Sequence, residues 1–389
     1  MEDNSLDIIA SKHPQLFKTL LDGKFIIESQ AVEWEEVVKT WKREDTESDR
    51  FTLIINPTLK CNMKCWYCYE SHKTEAVMKS DTLLSILRFI SNKVTENGLK
   101  GLNVDFFGGE PLLYFKEIVK PILEHAYNEC VNNNVQLYVS FTTNGYLLSN
   151  DIYKELIKYT EWEVVRLQIT IDGNREFHNK TRALGGTKET YDVIVSHIKQ
   201  FATKGFLILV RFNYTEKNIS SFFDVIEDFA SLPEQCKEHL NFSLQKVWQV
   251  EDTEKLDNEA KRLREALISE GFKCEPLVLT HNRCYADKDN TVVINYDGNI
   301  YKCTARDFSE ETKEGILHRN GSLEWNKRSE IRAAVKYGKE ICHSCQLFPL
   351  CNAGCSQNKM EDPRNVCTRN YSKDKIERLI RERIHSILE

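Results

Sequence analysis

The sequence has no excess of positive charge, no apolar run of membrane-spanning length and no secretory pattern at its amino terminus. Its formal net charge is −6, with acidic and basic residues interspersed, which gives no general attraction to nucleic acid or to an anionic membrane. The longest apolar runs, such as FLILV at 206–210, are strand-length, whereas a spanning helix needs about 20 apolar residues. The opening MEDNSLDIIASKHP is acidic, where a signal peptide carries a basic stretch and then an apolar one. We therefore expect a cytoplasmic protein with no nucleic-acid or membrane partner. Internal repeats beyond a strand–helix alternation are missing, and so is any low-complexity tail. Histidines such as His178 and His281 show no pairing that would support nucleophilic catalysis and read as structural.

Apolar residues make up 41% of 389, enough for one large domain of about 200–250 residues and a smaller one. Cysteine is abundant, at thirteen. Disulfide frameworks belong mainly to small secreted domains, so clustered thiols in a chain of this kind read as metal ligands or redox groups. Ten fall in two sets, at 61–68 and 284–367, while Cys130, Cys236 and Cys274 are scattered. Cys130 and Cys236 read as small buried hydrophobes.

From residue 51 short β-branched runs alternate with helical patterns. Strands are expected at 51–56, 102–107, 135–142, 164–171, 206–213 and 240–247, and helices at 80–94, 115–130, 150–160, 189–204, 219–231 and 253–271. Six such units predict an α/β fold with a parallel sheet, either doubly wound or curled into a barrel. Chemistry in such folds sits at the carboxyl ends of the strands. Those ends carry CNMKCWYC (61–68), GGEP (108–111), TTNG (142–145), TIDG (170–173) and RFN (211–213). All the polar and glycine-rich stretches thus fall on one rim. After about 272 cysteines and turns replace the alternation until a last helix at 373–388. The expected division is an amino-terminal segment 1–50, a barrel-type domain 51–271 and a cysteine-rich domain 272–389.

Cys61, Cys65 and Cys68 follow the first strand, and their spacing motif itself supplies no fourth cysteine or histidine. A structural zinc site wants four ligands; an iron–sulfur cluster short of one ligand leaves an iron open. The triplet, with Tyr67 before its last cysteine, resembles the signature of the radical S-adenosylmethionine (SAM) superfamily. That resemblance implies a partial (β/α)6 TIM-type barrel. It also implies a [4Fe-4S] cluster on Cys61, Cys65 and Cys68, with SAM chelating the fourth iron. SAM cleavage to a 5′-deoxyadenosyl radical and hydrogen abstraction from an unreactive carbon would follow. By the same resemblance Gly108, Gly109 and Glu110 lie beside the methionine moiety, with Glu110 accepting from its ammonium. Thr143, Asn144, Thr170 and Asp172 line the SAM pocket, and Arg182 in HNKTR pairs with the SAM carboxylate. Arg211 and Asn213 face the same rim and are weaker candidates.

The second set runs Cys284, Gly298, Cys303, then Cys342-x2-Cys345-x5-Cys351-x3-Cys355, then Cys367. It resembles the SPASM domain of peptide-modifying radical SAM enzymes; a zinc ribbon is the plain alternative. The resemblance implies two auxiliary [4Fe-4S] clusters, one on Cys284, Cys303 and Cys355, the other on Cys342, Cys345, Cys351 and Cys367. Cys274 completes the first, or an iron there is open. In sulfatase-maturing members a basic aspartate directly follows the cysteine matched by Cys303; here Thr304 stands there, and Asp307 is four residues beyond the cysteine. The expected function is accordingly oxidative modification, by a crosslink, of a ribosomally synthesised precursor peptide. Anaerobic sulfatase maturation is the alternative, and a metal-stabilised interaction protein the non-enzymatic one. Implied partners are the peptide, a reductant such as flavodoxin or ferredoxin, and a separate leader-recognition protein if neither residues 1–50 nor the SPASM surface does that work. FKTLLDGKFIIES (17–29) could supply a helix and a strand, either for recognition or as a cap on the barrel.

Overall fold

The computed structural model describes residues 6–23, 26, 30–162, 165–185, 189–251, 253–277 and 283–388. His281 and the strand expected toward residue 29 lie outside the described residues. By compactness the chain divides into two units, one of residues 48–277 and 289–330, the other of residues 1–47, 278–288 and 331–389.

The first unit is built on one sheet. Its strands are β1 Arg50–Ile55, β2 Gly101–Phe106, β3 Gln136–Thr143, β4 Val165–Ile171, β5 Leu207–Tyr214, β6 Leu240–Lys246, β7 Lys273–Cys274, β8 Thr291–Ile294, β9 Asn299–Tyr301, β10 Gly315–Leu317 and β11 Leu323–Trp325. They lie in the order β11-β10-β9-β8-β1-β2-β3-β4-β5-β6-β7, an open array rather than a closed ring. From β8 to β7 the pairings are parallel, with helices in the connections; β8 to β11 pair antiparallel. The six expected strand–helix units are all present.

Period-two alternation sorts each strand's residues. Val104, Phe106, Val139, Phe141, Leu167, Ile169, Ile208, Val210 and Phe212 are buried in the core. Helices cover that face; Ser80–Val94 turns Ile86, Phe89, Ile90 and Val94 inward, one apolar stripe of a 3.6-residue period. Burial of each such side chain stabilises the fold by ~1.5–3 kcal/mol. Most of the alternate residues are polar, as Asp105, Ser140, Gln168 and Arg211 are, with Leu209 an exception. In register, Ile55 lies beside Phe106, Phe106 beside Phe141, Ile171 beside Phe212, and Phe212 beside Leu244. The carboxyl ends therefore form one level rim.

The chain crosses the boundary expected at 271/272 and returns. β8 pairs with β1 from Thr52–Thr291 to Ile55–Ile294, and all four of its residues are buried. An uncovered edge of β1 would leave a row of unpaired backbone groups; TVVI satisfies them. In the second unit the helix Gln30–Thr46 packs Val38 and Trp41 against Phe348 and Ala353. Buried Asp45 there takes ion pairs from Arg283 and Lys336, both at 3.1 Å, and a hydrogen bond from the Tyr337 hydroxyl at 3.0 Å. Much of the amino-terminal segment is thus built into the unit of the carboxy-terminal cysteines. Among the described residues no helix is long and apolar enough to cross a membrane.

Candidate active site

The loop after β1 carries the thiols of Cys61, Cys65 and Cys68 to the rim, where all three line one cavity of about 180 Å³. Tyr67, Gly108, Gly109, Thr143, Asn144, Thr170 and Arg182 line it too, as do Arg211 and Asn213. Of the expected site residues in this unit, Glu110 and Asp172 stand behind these walls, and Cys274 and Cys303 lie elsewhere.

The two glycines hold the cysteine loop. A Cβ on Gly109 would stand 2.2 Å from the Lys60 carbonyl oxygen, and one on Gly108, at φ +99°, 2.5 Å from the Thr58 oxygen. The approach that only glycine permits here is therefore to the protein's own backbone. It is fastened by Gly109 N–H donating to Thr58 O at 3.1 Å and Glu110 N–H to Lys60 O at 2.8 Å. Glu110 is fully buried. Its carboxylate accepts from the Thr143 hydroxyl and the Asn144 N–H, both at 2.8 Å, and from the Leu112 N–H at 3.0 Å. Burial pushes its carboxyl up to about 7 against those donors. Through these bonds Glu110 ties the end of β2 to that of β3.

Asp172, at 1% exposure, takes the Arg182 Nε–H in a buried ion pair. The Tyr67 hydroxyl donates to Asp172 at 2.8 Å and accepts from Arg182 Nη2 at 2.6 Å and Asn213 Nδ2 at 3.0 Å. One donor and two acceptor positions of a phenol are thereby used. Burial pulls the guanidinium toward neutrality, but Asp172 and the neighbouring groups hold it above its usual range. Arg182 thus reaches the cavity with its charge already met by a carboxylate of the chain. His178 donates nothing here; its Nδ1 accepts the Asp172 N–H at 3.4 Å, and burial, then the Arg182 charge, lowers it to about 3. That agrees with a structural role.

The cavity fits a thiolate-held cluster. The Met63 N–H donates to Cys61 Sγ at 3.5 Å, and the Asn144 amide lies 4.0 Å from it while donating to Asn62 at 2.7 Å; such donors tune cluster sulfurs. Burial pushes Cys61 up to about 12 and raises Cys65 and Cys68 as well. Metal binding here must therefore displace protons. Among the described residues no three His, Cys, Asp or Glu side chains are grouped for a single ion.

Sequence reasoning missed Glu70, His72, Lys246, Trp248 and Gln249, which also line the cavity. Glu70 is buried, with one carboxylate oxygen unpartnered in the described structure. Burial pushes it up to about 7, the His72 charge opposing and Asp307 adding to the rise. Its place two residues past Cys68, and that of Trp248 just past β6, were the available signals. Asp307 itself accepts from the Ser71 N–H at 2.9 Å, the Ser71 hydroxyl at 2.6 Å and the Phe308 N–H at 3.1 Å. Thr304 O takes the Tyr69 hydroxyl at 2.7 Å.

In the second unit Cys342, Cys345, Cys351 and Cys367 line one cavity of about 250 Å³. Between Cys351 and Cys355 the backbone is left-handed three times running, at Asn352, Ala353 and Gly354, with φ of 52°, 59° and 73°. For Ala353 that conformation is strained, and such strain gathers at functional sites. Cys284 and Cys355 belong to this unit, Cys274 and Cys303 to the other. Cys130 and Cys236 are buried, as expected.

Residues 55–226 match the Radical SAM superfamily. The chain carries a radical SAM domain and is a radical SAM enzyme, whose cofactors are SAM and a [4Fe-4S] cluster; SPASM-type auxiliary clusters are consistent with the cysteine-rich carboxy terminus. It is 24% identical, over 352 residues, to the cysteine-type anaerobic sulfatase-maturating enzyme of Clostridium novyi (strain NT), covering 79% of this chain and 88% of that protein. In structure it resembles native anSMEcpe with bound AdoMet and Cp18Cys peptide, at a TM-score of 0.65 and 19% identity over 87% of this chain and 98% of that one. It also resembles Streptococcus suis SuiB bound to precursor peptide SuiA, at 0.57 and 15% over 88% and 79%. The enzyme is thus related to sulfatase maturases and peptide modifiers.

Proposed function

We propose that this radical SAM enzyme matures a ribosomally synthesised precursor peptide, oxidising it at an unactivated carbon, with a crosslink as the product. The observation that carries this over sulfatase maturation is the loop after Cys303. Thr304 stands where a basic aspartate would follow, and the next carboxylate, Asp307, is committed to Ser71 and the Phe308 N–H. The likeness to peptide-bound folds supports a peptide substrate.

Cys61, Cys65 and Cys68 are the thiols to hold the cluster. With SAM bound, a cluster there would supply reductive C–S cleavage and hydrogen-atom abstraction chemistry. The protein's share is positioning. Gly108 and Gly109 pin the cysteine loop to the end of β2, and Glu110 pins β2 to Thr143 and Asn144. The Tyr67–Asp172–Arg182 network joins the loop to the ends of β4 and β5. Thr170, Arg211 and Asn213 present polar atoms to the cavity for cofactor or substrate.

Cys342, Cys345, Cys351 and Cys367, around their shared cavity, are the thiols for one auxiliary cluster. For Cys284, Cys303 and Cys355 the support is their spacing in the sequence, with Cys274 as the fourth ligand. In a Cys274→Ala variant, ligation predicts loss of auxiliary iron and product together. A flavodoxin or ferredoxin would serve as reductant. The test of function is co-expression with a small peptide encoded beside this gene. Oxidation removes two hydrogens, so a mass loss of about 2 Da is expected. Conversion of a sulfatase-derived Cys or Ser peptide to formylglycine, with the neighbouring peptide untouched, would refute the reading.

A further inference from the structure

A second cavity, of about 390 Å³, adjoins the first and shares Tyr67, Asn213 and Val247 with it as a common wall. Lys180, on the helix Arg175–Thr181, and Lys217, in the turn after β5, both line it and are both exposed. Neither has an ion-pair partner among the described residues. The carboxylate lining this cavity is Asp172, whose charge Arg182 already meets. Glu216, beside Lys217 in sequence, takes the Thr253 hydroxyl instead. Two uncompensated cations therefore stand together in a chain whose net charge is −6. Beside them lie Trp66, 61% exposed, and Phe177. An exposed indole of that size is an ordinary anchor for a binding partner.

We propose that this cavity is a subsite for a carboxylate of the peptide substrate, held by Lys180 and Lys217 while Trp66 and Phe177 cover the adjacent carbon chain. The inference rests on the peptide-maturase reading, because the shared wall places the subsite one step along a bound peptide from the cysteine cavity. The carboxylate comes from an Asp or Glu side chain or from a chain terminus. Lysines act as point charges and accept either source. The proposal sets a specificity rule: an acidic group close to the modified residue.

The test uses the full-length reconstituted protein and short rhodamine-labelled Gly/Ser peptides read by fluorescence anisotropy. One carries two glutamates and an amidated end, a second is neutral with a free carboxyl end, and a third is neutral and amidated. Either acidic source should bind better than the third peptide, and the better of the first two identifies the source. Lys180→Glu with Lys217→Glu should weaken that binding at least about tenfold, as like charges now face the ligand. Lys180→Arg with Lys217→Arg should keep it. S-adenosylhomocysteine binding, measured by calorimetry, should be the same in all three proteins. Equal binding of all probes, no binding of any, or indifference to the double charge reversal would overturn the subsite. Failure of the maturase reading would show separately, as an unchanged mass in the co-expressed peptide.

Discussion

Gly109→Ala tests whether the glycine pair builds the cysteine loop or merely leaves room beside it. The new Cβ would meet Lys60 O at 2.2 Å, Lys60 C at 2.5 Å and Leu59 O at 2.7 Å. All three are backbone atoms, so no rotamer change relieves the overlap. Ordinary contact distances near 3.5 Å require the two loop segments to part by about 1 Å. That movement opens the hydrogen bonds from Gly109 N–H and Glu110 N–H to Thr58 and Lys60. Overpacking costs about 1–3 kcal/mol, and losing one or two such bonds adds ~0.5–1.5 kcal/mol each. A total near 3 kcal/mol corresponds to a drop in Tm of roughly 6–10 °C for a domain of this size. Since Lys60 adjoins Cys61, iron bound at the triplet and 5′-deoxyadenosine formed under dithionite should fall with it. Gly98→Ala is the control: its φ is +90° but nothing lies within 4 Å of the added Cβ, so it carries backbone strain of about 1 kcal/mol alone. A Gly109→Ala protein as stable as Gly98→Ala, with full iron and full SAM cleavage, would refute the assignment.

Replacing Cys61, Cys65 and Cys68 together with alanine should abolish 5′-deoxyadenosine formation while leaving most carboxy-terminal iron in place. Iron and zinc analysis of the wild type should find about twelve irons, as three cubanes require; about four irons with stoichiometric zinc would favour a zinc ribbon. Arg182→Met leaves Asp172 buried and unpaired and should cost ~3–5 kcal/mol, whereas Arg182→Met with Asp172→Asn should cost clearly less; additive losses in urea denaturation would contradict the coupling. His178 has a folded-state value of about 3 against an ordinary 6.5. The unfolded chain therefore binds its proton first, and the stability it contributes, full above about 6.5, is lost as pH falls toward 3. His178→Asn keeps a side-chain acceptor and removes that titration. Its stability should fall less steeply across the window, and parallel urea midpoints would exclude His178 as a source of acid sensitivity.

The patterns that a sequence displays are local, and those were legible here. Apolar residues at 3.6-residue spacing mark the helix Ser80–Val94 with both its ends, and β-branched runs mark β1 to β6 within a residue or two. The cysteine spacing and the polar strand ends identified the rim, because parallel strands in register bring their carboxyl ends level. What the tertiary structure decided was the partner of each polar group. Glu110 looks, in GGEP, like a group free to bind a ligand; three donors from the chain use it. Nothing in HNKTR shows a protein partner for Arg182; Asp172, ten residues earlier, and Tyr67, 115 residues earlier, take two of its N–H groups. Gly109 lies so close to the Lys60 carbonyl that no side chain fits there. Four short strands after residue 290 join the sheet because β1 has an edge to fill, a need that does not show in TVVI or in FTLII. Local periodicity follows from backbone geometry alone, so it can be read from one segment. Pairing among buried polar groups is set by which segments the fold brings together, and a burial penalty of several kcal/mol for each unpartnered charge is settled only there.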